Sequence, residues 1–336
     1  MDILNALVTF LNFVFIPATA YGAQLALGAL GATLVYGVLN FSNFAQGDTM
    51  AFGTMVTILG TWWLQSQGIS FGPLPTALLA MPLGIFVTAV LLLLTDRMVY
   101  RFYRKKRANP TILVIVSLGV MFVLNGITRL VIGVEEQNFA DGARFVITAG
   151  EFRKWTGLDE GLAIKTTQAV TVVTAVIVVA WLFWFLQKTR TGKSMRAFSD
   201  NEDLALLSGI NPQHVVNVTW IIVAALATIA GVLYGLDKSF KPFTYFQLLL
   251  PIFSAAVVGG LGSPLGAIAG GFVVAYSEVM VTYAWKKVLG YLLPEAWAPD
   301  SLVQLLSTDY KFAVSFFILI IVLVFMPTGL FRGKSG

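Results

Sequence analysis

The chain has 336 residues, 57% hydrophobic and only 12% charged, where a soluble domain carries about 25% charged residues. With a mean hydropathy of +0.81 and long unbroken apolar stretches in place of short alternating ones, it reads as an all-α, polytopic transmembrane helical bundle and not a β-barrel. Net charge is +5, cysteine is absent and His214 is the single histidine; this excludes a disulfide framework, a thiolate or multi-histidine metal site and a cysteine nucleophile, and without a basic helix or RNA-binding signature the charge is not read as nucleic-acid binding.

The N-terminal MDILNALVTFLNFVFIPATA lacks a basic leader, so it is not read as a cleaved signal peptide. Residues 1–16 are left as an interfacial helix or an extra span. Spans are expected near 18–39, 46–66, 74–96, 111–133, 166–187 and 214–236, then a hairpin over 248–283 and a last span near 310–329, giving eight to ten crossings in one transmembrane domain, 1–336.

Between the first two spans lies YGVLNFSNFAQGDTMAFG (36–53), with Asn40, Asn43, Gln46 and Asp48 where one apolar run ends and the next begins. Polar groups near membrane depth face a bundle interior or an aqueous cavity; the same residue types also make an ordinary cytoplasmic turn, with Asp48 in the first turn of the next helix. Both readings stay open.

Orientation follows from Lys and Arg. RMVYRFYRKKRANP (97–110) holds six basic residues and no acid, KTRTGKSMRA (188–197) holds four, and the tail FRGKSG holds two. All three share one side, expected to be cytoplasmic. The loop 134–165, with six acids against four bases, and the aromatic segment 284–309, with YLLPEAWAPD, then lie outside. Arg129 and Asn125 are expected to snorkel or to bridge helices. His214 opens its span in a structural role.

The segment 188–213 contains SDNEDLALLSGINP, which reads as a short soluble helix. Ser199 is the expected N-cap, with Glu202 closing a capping box and Asp200 and Asp203 favoured by the helix dipole. Gly209 is the expected C′ residue, Ile210 the closing apolar contact and Pro212 the stop. Leu204, Leu206 and Leu207 form an apolar surface. A helix of two to three turns is marginal alone and needs a surface, its own membrane domain or another protein. TGKS (191–194) resembles the end of a phosphate loop, but Gln187 stands where the pattern needs Gly; RGKSG at the C-terminus likewise has Thr328 there. Neither is read as an ATP site.

In AAVVGGLGSPLGAIAGG, Gly262, Gly266 and Gly270 form a small-xxx-small ladder beside Gly259, Gly260 and Gly271, with Ser263 and Pro264 at the turn. Such spacing permits close helix approach. The first arm has about fifteen residues, which leaves a re-entrant hairpin open, and the glycines serve close packing or the transport path itself. Glu278 falls inside a span, as a buried neutral or hydrogen-bonded carboxyl.

Four motifs, LGALGATLVYGVLNFSNFAQGDTMAFG (27–53), TGKSMRAFSDNEDLALLSGIN (191–211), AGVLYG (230–235) and FSAAVVGGLGSPLGAIAGGFVVAYSE (253–278), resemble in order and spacing the permease family of branched-chain amino acid ABC importers, the LivH/LivM type that also includes urea permeases. The resemblance covers most of residues 20–283. It implies a multi-pass protein of the bacterial inner membrane with a cytoplasmic C-terminus. The implied partners are a second, LivM-like permease subunit, two ABC ATPase subunits and an extracytoplasmic substrate-binding protein. No cofactor is implied in this chain, ATP and Mg belonging to the ATPases. Residues 199–210 become the coupling helix that docks on an ATPase: Gly209, Ile210, Leu204 and Leu207 shape it, and Arg196, Ser199, Asp200, Glu202 and Asp203 offer polar contacts. The path is expected past Asn40, Asn43, Gln46 and Asp48 and past Gly259, Gly260, Gly262 and Glu278. One departure is Gln46, where the family commonly has His in NFAHG; another is the long aromatic 284–309 segment. Branched-chain or other small amino acids are the expected cargo and urea or a short amide the alternative. A stand-alone secondary transporter using Asp48, Glu278 and His214 is the rival class.

Overall fold

The computed structural model describes residues 2–140, 144–293, 301, 303–326 and 328–331; part of YLLPEAWAPD and the final RGKSG lie outside them. In chain order the helices are α1 (Asp2–Phe10), α2 (Ile16–Leu39), α3 (Gln46–Ser66), α4 (Ala77–Thr95), α5 (Arg101–Lys105), α6 (Pro110–Ile132), α7 (Ala149–Thr156), α8 (Thr166–Lys188), α9 (Arg190–Asp200), α10 (Glu202–Leu207), α11 (Pro212–Lys238), α12 (Pro242–Gln247), α13 (Leu249–Gly259), α14 (Pro264–Thr282), α15 (Lys286–Leu292) and α16 (Lys311–Phe325). A two-stranded antiparallel sheet, β1 (Phe145–Ile147) with β2 (Ile164–Lys165), closes the loop before α8.

Among the described residues, eight helical stretches are long and apolar enough to cross a membrane. The first runs Asp2–Leu39. Residues 2–16 do not form a separate helix: α1 continues into α2 through a π-helical turn at Leu11–Phe15. At 1.5 Å per residue this helix is about 57 Å long and overshoots a hydrocarbon layer of about 30 Å. The span predicted to stop near 96 also continues, through a second π turn (Asp96–Tyr100) into α5, so most of the basic segment 97–110 is helical.

α3 is a ninth long helix, and its composition is unusual for one in lipid. Thr49, Thr54, Thr57 and Thr61 are buried, and each hydroxyl donates to the carbonyl four residues back, at 2.7–2.8 Å. Their polar atoms are satisfied within the helix, which lowers the cost of burying them. α2 and α11, buried along most of their length, form the centre, and α3, α4 and the hairpin pack on them.

The hairpin is built from two antiparallel helical arms, the first in two pieces, α12 and α13. Its arms, Pro242–Gly259 and Pro264–Thr282, are each long enough to cross. Its tip reaches the end of α2: a Cβ on Gly37 would sit 3.9 Å from Gly262 Cα. The predicted ladder is corrected in one member. Gly262 lies in the tip at φ 85°, a conformation that favours glycine; the interlocking residues are Gly259, Gly266 and Gly270. A Cβ on Gly266 would meet the Gly259 carbonyl carbon at 2.7 Å, and one on Gly270 would meet the Gly259 nitrogen at 2.9 Å. Lipid gives helices no hydrophobic reason to associate, so backbone contact of this kind supplies the attraction. Gly271 opposes α2 in the same way, with Ala26 N 2.7 Å from the site of its Cβ.

The two ends of the bundle are set by long-range hydrogen bonds. At one end, Leu330 N and Phe331 N donate to the carbonyls of Val258 (2.8 Å) and Gly259 (3.1 Å), and Gln213, at the head of α11, reaches Asp96 before α5. The regions 97–110 and 188–213, the hairpin tip and residues 328–331 therefore share one end, as predicted for the first two basic segments; the basic residues of the tail lie outside the described residues. At the other end, Gln137 pairs with Phe240, and Lys287 and Tyr291 of α15 bind Glu160 at 2.8 and 2.6 Å. The loops 134–165 and 284–309 are thus joined.

Candidate functional site

The segment 188–213 folds as two helices, not one. Asn201 has extended backbone (φ −155°, ψ 107°), and its side chain accepts from Leu204 N at 3.0 Å. Asn201, not Ser199, is the N-cap of α10, and the capping box expected between Ser199 and Glu202 does not form. Ser199 and Asp200 instead finish α9, whose own cap is Thr189. TGKS lies within α9 as regular helix, not a phosphate loop. The C-terminal prediction matches the structure: Gly209 has φ 78°, Gly209 N donates to Leu206 O and Ile210 N to Ala205 O, a Schellman closure. Pro212 then opens α11, capped by Asn211.

α9 buries Gly192, Met195 and Phe198, and the Ser199 hydroxyl donates to Gly37 O at 2.6 Å. α10 buries only Ala205; Leu204 is 61% and Leu207 86% exposed, with Glu202, Asp203 and Gly209 also exposed. The structure thus splits the predicted residues into an anchored half and a free half. Arg196, Ser199, Asp200 and Gly262 line one groove of about 430 Å³ between α9, α2 and the hairpin tip. Leu204, Leu207, Glu202 and Asp203 face away from it as an apolar patch edged with acid.

The 40–48 break has features of both readings: Asn40 is exposed and Asp48 lies in the first turn of α3, while Asn43, Gln46 and Asp48 are buried in the bundle. α2 ends at Asn40, which is left-handed (φ 54°), a conformation asparagine tolerates. The chain then turns back along α2, because Gln46 Nε2 reaches Gly28 O at 3.4 Å; α3 begins roughly two to three turns inside the end of α2. Asn43 Oδ1 accepts from Ala45 N (3.1 Å) and the Tyr100 hydroxyl (3.3 Å). Asp48 Oδ1 accepts from Asn125 at 2.7 Å, so Asn125 bridges helices. Asn43, Gln46 and Asp48 are each at most 1% exposed, hold three different helices, and line neither the groove beside α9 nor the cavity at the end of α11. Glu278, also buried, accepts from the Ser315 hydroxyl and joins α14 to α16.

Sequence reading missed a fifth feature. Asp96 is 1% exposed and accepts from Arg104 twice (2.5 and 3.0 Å), from Trp220 Nε1 (2.8 Å) and from Gln213 (3.3 Å). It ties α5 to the first turns of α11, directly after α10. The available signal was one acid at the end of an apolar run, followed by six bases. At the opposite end, burial opposes ionisation of Glu160, but the hydrogen bonds from Lys287 and Tyr291 outweigh it and hold the carboxyl below its usual range. The same hydrogen bond pushes Tyr291 up to about 12.

A helical bundle that crosses the membrane many times, breaks one helix in its interior and presents a short exposed helix beside a glycine hairpin is built as a membrane permease component. Residues 15–323 match the family described as branched-chain amino acid transport system / permease component, and the chain belongs to that family. It is 31% identical over 319 residues to the high-affinity branched-chain amino acid transport system permease protein LivH of Escherichia coli (strain K12), covering 92% of this chain and 91% of that one. Against the corresponding permease protein BraD of Pseudomonas aeruginosa it is 29% identical over 310 residues, covering 92% of each. A solved inward-facing structure of a metal-chelate type ABC transporter superposes with a TM-score of 0.46 at 12% identity, covering 93% of this chain and 88% of that one.

Proposed function

We propose that this permease carries branched-chain amino acids inward as half of a membrane channel completed by a second, LivM-like permease. Two separate ATPase subunits, which hold ATP and Mg, dock on α10, and an extracytoplasmic binding protein delivers cargo to the opposite end. The end bearing 97–110, 188–213 and 328–331 is cytoplasmic on this reading, since it gathers the Lys and Arg, and the membrane is the bacterial inner membrane. The observation that carries the reading is α10 itself. It is a two-turn helix, capped at both ends, whose Leu204 and Leu207 are exposed at the end where a lipid-facing role is not available to Glu202 and Asp203. Such a helix is too short to persist alone and fits a cleft on another protein. Closure of the ATPases would push α10 through the α9 anchor at Gly37 and through the head of α11 at Asp96. A ligand shifts such an equilibrium only by its different affinity for the two states, and ATP would supply that difference. The path runs beside the 40–48 break and the hairpin.

The test is purification from the native membrane in mild detergent, with co-purifying chains identified by mass spectrometry, followed by reconstitution. A second permease, ABC ATPases and ATP-dependent leucine uptake are the expected result. Uptake by this chain alone, driven by an ion gradient, would overturn it.

A further inference from the structure

Large aromatic side chains from three separate elements stack in the bundle: Phe41 in the 40–48 break, Tyr100 in the π turn before α5, and Trp220 in α11. The ring centroids of Phe41 and Tyr100 are 5.4 Å apart. Those of Tyr100 and Trp220 are 5.3 Å apart, with the rings within 18° of parallel. None of the three is more than 1% exposed. The polar edges of the last two are also held. Trp220 Nε1 donates to Asp96 Oδ1 at 2.8 Å, and the Tyr100 hydroxyl donates to Asn43 Oδ1 at 3.3 Å. Asp96 in turn accepts from Gln213 at 3.3 Å, and Gln213 lies in the first turn of α11, shortly after the Gly209 closure of α10.

Every link from the head of α11 to the break is thus a direct contact. Close-packed rings held at their polar edges cannot turn independently, so a displacement of the α11 head carries Asp96 and Trp220, and Tyr100 with them. At the far end of the row the backbone is free to respond. Residues 41–45 lie between α2 and α3 and are fixed by side chains: Asn43 Oδ1 accepts from Ala45 N and Ser117 Oγ from Phe44 N, both at 3.1 Å. Short segments at the ends of elements are where a backbone absorbs a change of setting. We propose that Tyr100 is a positioning residue, which transmits the position of α10 to the 40–48 break and so to the start of α3, where Gln46 lies against Gly28 of α2. Asp96 anchors the head of α11, and the Tyr100 hydroxyl makes the break follow it. The inference rests on the reading of α10 as the docking helix and adds the route by which its movement reaches the bundle interior. Transmission requires that both sites bias the same element, which fixes the form of the test.

The experiment is hydrogen exchange of the full-length chain, purified with its accompanying subunits into nanodiscs, with and without a non-hydrolysable ATP analogue. Leucine uptake and ATP hydrolysis are measured on the same complex in proteoliposomes. In the wild type the analogue is expected to change exchange at 202–210 and at 40–48 together. Tyr100→Phe keeps the stacked ring and removes only the hydroxyl, while Asn43 Oδ1 keeps its bond from Ala45 N, so the chain should still assemble. This variant is expected to retain the response at 202–210 and to lose most of the response at 40–48. Its uptake per ATP hydrolysed should fall roughly two- to tenfold, the factor that corresponds to one hydrogen bond. A purely structural role would lower the thermal midpoint and leave that ratio unchanged. Trp220→Phe keeps a ring in the row and removes the bond to Asp96; it should act in the same direction, and it carries the test if Tyr100→Phe does not assemble. Either variant assembling with the 40–48 response and uptake ratio of the wild type overturns the inference while the importer reading stands. So does a wild type whose 40–48 segment ignores the analogue while 202–210 responds. Leucine uptake without ATP or an ATPase removes the importer reading, and this inference with it.

Discussion

Ser199 and Gly37 lie 162 positions apart and are joined by a 2.6 Å hydrogen bond from the Ser199 hydroxyl to the Gly37 carbonyl. Gly37 accepts this bond in the last turn of α2 while the hairpin tip passes beside it at Gly262. Three elements that the chain introduces far apart therefore meet at one point, immediately before the exposed helix α10. Ser199→Ala removes the bond and costs about 1 kcal/mol, too little to unfold the bundle. The expected outcome is an assembled importer that takes up less leucine per ATP hydrolysed. An unaltered ratio in paired uptake and ATPase assays would show that the bond transmits nothing.

Gly209→Val separates conformation from space. Nothing lies within 4 Å of a Cβ at this position, but φ is 78°. A β-branched residue there is strained by roughly 1–2 kcal/mol or more, and the Schellman end of α10 opens. The chain should reach the membrane and assemble in normal amount, with uptake strongly reduced. Gly209→Asn, which tolerates this conformation better, should recover much of the uptake.

Gly266→Leu acts on packing. The Gly259 carbonyl carbon stands 2.7 Å from where the new Cβ would be, and both partners are backbone, so the arms must separate. A loss of several kcal/mol is expected, beyond the usual 1–3 for overpacking, seen as lost expression or a lower thermal midpoint in detergent. Gly262→Ala strains the left-handed backbone at the tip, where φ is 85°. If the two variants had equal thermal midpoints, the assignment of Gly266 to the interlock and Gly262 to the turn would be wrong.

Asp96→Ala leaves Arg104, Trp220 and Gln213 without their shared acceptor. Removing one side of a buried pair costs about 3–5 kcal/mol; Arg104 is 21% exposed and can rehydrate, which brings the expected loss to roughly 2–3. Hydrogen exchange should show the first turns of α11 loosening together with α5. Asp96→Asn, which keeps an acceptor, should lose less.

The contact of α15 with the 134–165 loop is expected to depend on pH. The Glu160 carboxyl is held below its usual range, so the contact contributes fully above the unfolded value of about 4.3 and is lost as pH falls through the folded one. Its partner Lys287 is half exposed, so solvent screening keeps the gain to at most about 1 kcal/mol. Fluorescence of Trp285, next to α15, is expected to stay flat from pH 7 to 5 and to change below that. A midpoint near neutrality would exclude Glu160 as its cause.

The residues that could be read correctly in the sequence act on their own neighbours. Gly209, Ile210 and Pro212 end α10 as predicted because a Schellman closure involves only bonds within six residues. The span positions and the sharing of one end by the basic segments follow from summed apolar length and from Lys and Arg. Ser199 was misassigned because Ser and Asn are both good caps, and the choice fell to Asn201 once the Ser199 hydroxyl found Gly37 across the fold. Gly262 was counted in the ladder because its spacing is right; only the tip geometry shows that Gly259 opposes Gly266 in its place.

The sequence by itself determined that this is a many-pass helical membrane protein, where its helices run and to which kind of permease it is similar, because hydropathy, caps and charge act over one helix length. Tertiary structure alone decided that Asn43, Gln46 and Asp48 each hold a different helix and that Asp96 gathers three donors. Those relations depend on partners up to 124 positions away, and in lipid, where no hydrophobic force ranks one helix face above another, backbone fit and polar satisfaction choose them.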